Sequence, residues 1–174
     1  MDGKIIIIGL FTILLYNCKK KENIQENGKE LIFRNINILL DSVERFDMSK
    51  VPPSPQFKDI VTPEITLGLR DSITIDTIYS SKENELKSFK YFEFNLVKKD
   101  LIAFKSHYKL FFQKGRSMDV NILSIEISNL RINEIEASVE VAKVIGISAI
   151  HDRFYFKKEN GVWVFKKKIK LGIG

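Results

Sequence analysis

The chain has 174 residues, 28 Lys and Arg against 22 Asp and Glu, and a formal net charge of +6. A single Cys excludes an internal disulfide framework, so the fold must rest on its core. Four Pro and nine Gly exclude a largely disordered or low-complexity chain, and no internal repeat is present.

In chain order, Lys4 comes first. An uncharged apolar run, Ile5–Tyr16, follows. Its length fits the hydrophobic region of a secretory signal peptide, about seven to fifteen residues. It is short of the roughly twenty that span a bilayer. The run ends in Leu15-Tyr16-Asn17-Cys18, and Lys19-Lys20-Lys21 follows.

Leu15 and Cys18 stand as they do in the lipobox, so the segment resembles the leader of bacterial lipoproteins. Tyr16 and Asn17 are bulkier than the strict pattern. The resemblance implies removal of residues 1–17, a diacylglyceryl thioether on Cys18 and acylation of its new amine. Stable anchoring takes two or more acyl chains, which this would supply. The competing reading is an incidental Cys behind an uncleaved anchor. The resemblance places the protein in the bacterial cell envelope, with the membrane as a partner through the lipid. Lys19-Lys20, in place of the Asp that marks inner-membrane retention in some bacteria, points to the outer membrane. Removing 1–17 takes one Lys and one Asp, so the charge balance is unchanged.

Residues 18–29 are then the lipidated Cys and a polar tether reaching about 15–20 Å. Residues 30–174 form one domain. Ile32, Ile36, Leu39, Leu40, Val43 and Phe46 recur at helical spacing and predict a helix over Glu30–Phe46. Ser54-Pro55 and Thr62-Pro63 each read as a cap followed by a first-turn Pro, which predicts helical turns at 55–60 and 63–70. Ile73 and Ile75, then Phe92, Phe94 and Leu96, alternate with polar residues as strands do. Leu101–Gln113 fits both periods. Asp100 and Gly115 as caps favour a helix.

The last third reads as strands. Val120–Ile127 carries one phase slip, expected as a bulge near Leu123. Ile135, Ala137, Val139 and Val141 give a half-buried strand. Asn160-Gly161 between Phe154–Glu159 and Val162–Ile169 is a two-residue hairpin turn, pairing Glu159 with Val162 and Phe156 with Phe165. Phe154, Phe156, Trp163 and Phe165 then share one face. Lys157, Lys166 and Lys168 fall on the other.

The expected fold class is α+β, with N-terminal helices packed on a curved antiparallel meander. This order, with its aromatic final hairpin, resembles the nuclear transport factor two-like superfamily, in which such a sheet wraps into a cone around a pocket. The superfamily includes isomerases that set a carboxylate and hydroxyl donors in the cone. That resemblance makes Tyr108, His107, Asp119, Tyr91, His151 and Asp152 candidates, although no motif joins them. His151-Asp152 is expected in a turn before the final hairpin.

No zinc-like ligand spacing, phosphate loop, dinucleotide fingerprint or nucleophile elbow occurs. No catalytic residue, metal or cofactor is therefore expected. The speculative binding residues are Tyr108, His107, Lys157, Lys166 and Lys168. The lysines could meet an anionic lipid, an acidic glycan or an acidic protein, or simply solvate an edge strand. Nucleic acid does not fit an exported chain. The resulting expectation is a non-enzymatic lipoprotein binding a small apolar ligand or a protein partner. The alternatives are a cone-pocket isomerase or hydratase and an immunity factor against a toxin.

Overall fold

A computed structural model describes residues 24–57, 61–79, 86–87 and 92–174. Cys18 and Tyr91 lie outside these residues. No helix among those described is long and apolar enough to cross a membrane.

Helix α1 covers 24–39. It is already formed at residue 24, six residues before the expected start, so residues 24–29 of the expected tether belong to it. Leu31, Ile32, Ile36 and Leu39 are fully buried, whereas Arg34 and Asn37 are exposed, as the spacing demands. The helix stops at Leu39. Ser42 takes a left-handed conformation, φ 60°, and starts a separate 3-10 turn, Val43–Phe46. Val43 and Phe46 still reach the core from that turn.

Among the described residues, nine strands form one sheet. They are β1 (Thr66–Arg70), β2 (Ser72–Tyr79), β3 (Leu86–Lys87), β4 (Phe92–Asn95), β5 (Leu110–Gln113), β6 (Ile122–Ile132), β7 (Glu136–Ile145), β8 (Ser148–Glu159) and β9 (Val162–Ile173). The main path runs β3-β2-β6-β7-β8-β9, with β1 between β5 and β6 and with β4 beside β2. The antiparallel run β6 to β9 is the expected meander.

The nuclear transport factor two-like expectation is overturned. The sheet is mixed: β1 and β2 lie parallel to β6, and β5 lies parallel to β1. One α-helix among the described residues covers it, in place of several wrapped by a cone. The helix seats Ile32, Ile36 and Leu39 in the same core as Val139, Val141, Phe154 and Trp163. Among the described residues, the helix and this face of the sheet pack into one apolar core.

Two expected helices do not form: one segment is a strand, and the other is a turn and loop that end in a strand. Segment 63–70 becomes β1 because Leu67 and Leu69, both fully buried, alternate about Gly68 and pair with β6 as Leu67 with Leu123 and Leu69 with Ile125. A Cβ at Gly68 would lie 2.3 Å from Oε1 of Gln113, so the side chain of β5 occupies that space. Within 101–113, Asp100 does not cap a following helix. Its Oδ2 accepts from the Val97 N–H at 2.8 Å and closes a 3-10 turn, Lys98–Leu101. The apolar residues beyond serve a loop and then β5. The turn expected at 55–60 survives as a 3-10 turn, Pro55–Phe57.

The bulge of β6 lies between Ser128 and Arg131, where Asn129 has φ 49°, and not near Leu123, which pairs in register. The final hairpin turns on Asn160 and Gly161 at φ 50° and 81°, with Glu159 facing Val162 and Phe156 facing Phe165 as expected. Beyond Phe165 the register shifts, and Tyr155 faces Lys167. Lys166 is the extra residue. Directly opposed residues share a face, so Lys168, opposite Phe154, lies on the core face and not with Lys157.

Candidate functional site

Three groups of polar residues stand out. The first follows the end of α1. Asp47 is buried between two 3-10 turns. Its Oδ1 accepts from the Ser49 N–H at 3.1 Å and the Ser49 hydroxyl at 2.6 Å, and its Oδ2 from the Tyr108 hydroxyl at 3.0 Å. Burial opposes ionisation of Asp47, but the bonds from Ser49 and Tyr108 and the Lys50 charge outweigh it and hold the carboxyl below its usual value. Burial raises the Tyr108 phenol, with Lys50 opposing. Lys50 Nζ lies 2.9 Å from Nε2 of His107 and 5.0 Å over the Tyr108 ring. His107 is exposed, stacks on Tyr108 at 4.0 Å between ring centroids, and approaches Glu64 at 3.4 Å.

Ligand atoms of Asp47, Glu64 and His107 lie within 4.8 Å of one another, a donor set that suits a divalent cation. Lys50 stands among them, 3.8 Å from Asp47 Oδ2 and 2.9 Å from the His107 ring nitrogen, so an ammonium already supplies the positive charge there.

Beside this group the surface is apolar and concave. A groove of about 660 Å³ runs along Met48, Val51, Pro52, Pro53, Val61 and Thr62. A second of about 350 Å³ shares Met48 and Thr62 and extends to Val120 and Ile147. Ile147, 97% exposed at the β7–β8 turn, and Val61, 90% exposed, are the most exposed aliphatic side chains here. Adjoining exposed apolar surface of this kind marks interaction sites.

The second group joins α1 to the sheet. Lys143 on β7, 1% exposed, donates to the Asp41 carbonyl and, at 3.0 Å, to its Oδ1. Lys168 donates to Asp41 Oδ2 at 2.6 Å and lies 3.9 Å from Oδ2 of Asp152. Both ammonium groups approach the Phe154 ring, at 6.0 and 5.6 Å. Burial lowers the pKa of Lys143, with Asp41 opposing. Burial works against the Asp41 charge, yet the two lysines hold its carboxyl below the usual value. These cations meet the carbonyl end of α1, where positive charge is favoured.

The third group lies on the opposite face of the sheet. Glu140 on β7 is buried. It accepts from Nε of Arg153 at 3.0 Å and from the Asn129 amide at 2.9 Å, and His151 lies 3.0 Å away. Burial opposes its charge, but Arg153 and Asn129 hold the carboxyl below its usual value.

The residues singled out from the sequence are thus dispersed. Tyr108 and His107 come together, joined by Asp47, Lys50 and Glu64, which no motif or local spacing singles out. Asp119 sits in a loop, bonding the Asn121 N–H at 2.8 Å. His151 and Asp152 are not in a turn. They sit within β8, and the pleat sends them to opposite faces. Lys157 is exposed, Lys166 pairs with Glu159 at 2.6 Å, and Lys168 is bound to Asp41. Lys143 and Glu140 carried no sequence signal, because a buried charged residue in an alternating strand reads like an exposed one.

Comparison with known proteins found no matching family model, no matching curated protein and no matching solved structure.

Proposed function

We propose that this protein is a lipid-anchored lipoprotein of the bacterial cell envelope whose domain binds a protein partner without catalysing a reaction. The anchor reading is carried by Ile5–Tyr16 running directly into Leu15-Tyr16-Asn17-Cys18, the chain's single Cys. Cys18 is the lipidated residue in this reading, and the lysines after it favour the outer membrane.

Binding is supported by the paired grooves around Met48 and Thr62, which are open, apolar and bordered by exposed Val61, Val120 and Ile147. An open surface suits a protein better than a small apolar ligand, which calls for an enclosed site. Asp47, next in the chain to the groove residue Met48, is held ionised by its donors. A carboxylate of lowered pKa is a poor proton acceptor, which counts against general-base chemistry there.

Intact mass of the membrane-extracted protein tests the anchor. The expected result is loss of residues 1–17 with an added diacyl or triacyl mass, absent in Cys18→Ser. An unmodified N-terminus retaining residues 1–17 would overturn it.

A further inference from the structure

We infer that the β9 edge of the sheet rests on an anionic phospholipid surface, so that a lipid-anchored domain lies along its membrane on this strand. The inference rests on the anchor reading and adds an orientation and a lipid class.

Helix α1 is pinned to the final hairpin at Asn27: Lys158 donates to Oδ1 of Asn27 at 2.6 Å, and its ammonium lies 5.2 Å over the Trp163 ring. Five residues lie between Cys18 and Ile24, and six residue-to-residue steps span at most roughly 20 Å. An anchor at Cys18 therefore holds the hairpin end close to the bilayer. From there β8 and β9 run side by side for about 36 Å, the length of a twelve-residue strand.

Charge selects the surface. From Val162 to Ile173, β9 carries Lys166, Lys167, Lys168 and Lys170 and no Asp or Glu. Lys168 is bound inward by Asp41 and Lys166 is paired with Glu159, but Lys167 and Lys170 are exposed, as is Lys157 on β8. Among the described residues β9 pairs with β8 alone. Ile169, Leu171 and Ile173 are 42, 41 and 71% exposed between and beyond the lysines. Cations interleaved with exposed aliphatic side chains match an anionic headgroup layer above acyl chains. A strand of a second copy would set lysine against lysine. Lys19-Lys20-Lys21 adds charge of the same sign next to the anchor.

The test uses the extracted full chain reconstituted in phosphatidylcholine vesicles with and without phosphatidylglycerol. Amine labelling is read by mass spectrometry at single lysines. Lys157, Lys167 and Lys170 should label several-fold more slowly when phosphatidylglycerol is present, and high salt should restore them. Lys105, Lys109 and Lys114, near and beyond β5, serve as references and should not change. The double variant Lys167→Glu, Lys170→Glu alters exposed side chains only and should lose the protection of Lys157. Equal labelling in both vesicles would overturn the inference, as would protection that requires a co-purifying acidic protein. The intact mass of the same sample judges the anchor separately. If no lipid is attached, the anchor reading falls, and the phosphatidylglycerol dependence still decides for or against the basic edge.

Discussion

Lys143 and Asp41 join the middle of the sheet to the end of α1 through two hydrogen bonds from one buried ammonium. Removing one member of a buried charged contact leaves the other poorly satisfied and opens space. Lys143→Ala should cost about 2–4 kcal/mol in urea unfolding. Lys143→Met keeps most of the chain volume and should cost less. A loss below about 1 kcal/mol for the Ala variant would show that the contact is dispensable.

Acid should weaken the fold partly through Asp47. Its folded pKa lies below the ordinary value of 3.8, so the unfolded chain takes up the proton first as pH falls. The stabilisation is complete above that ordinary value and is lost as pH drops through the folded one. Asp47→Asn should therefore be less stable than wild type near neutrality, and the gap should narrow below about pH 4. Urea midpoints measured across that range decide it, and a gap that stays constant into strong acid would reject the assignment.

Gly161→Ala tests the hairpin turn. At φ 81° a Cβ is strained whatever space surrounds it, and the cost should be about 1 kcal/mol. For a domain of this size that lowers Tm by roughly 2–4 °C. An unchanged Tm by calorimetry would mean that the turn adopts another geometry.

Ile147→Asp tests the apolar surface. The side chain is almost fully exposed, so stability should change by less than about 0.5 kcal/mol. Chemical cross-linking of the proposed partner in intact cells should nevertheless fall. A variant that unfolds would show Ile147 to be part of the core, and undiminished cross-linking would move the binding surface elsewhere.

What the sequence made legible was local. The face of α1, the alternation of β7 and the Asn160-Gly161 turn each follow from residues within a few positions of one another. The pairing of β1 and β2 with β6 spans more than fifty residues of chain, and parallel neighbours leave no mark on local spacing. Leu101–Gln113 misled because its apolar side chains serve a 3-10 turn, a loop and β5 in succession. In the lysine stripe, one extra residue at Lys166 reverses the faces of Lys167 to Lys170 until a second shift beyond Lys170, and composition cannot show which residue is extra. Asp47 gathers partners from positions 49, 50 and 108, so no short motif announces it.

The parallel seam against β6 also sets an order in time. During synthesis the strands that precede it emerge with Leu67, Leu69, Ile73 and Ile75 bare, and their neighbour along the sheet is not complete until Ile132 has been added. The closing hairpin needs only its own residues and can form in microseconds. Folding should thus be limited by the late capture of the first strands, and these four side chains are the ones a holding chaperone would find exposed.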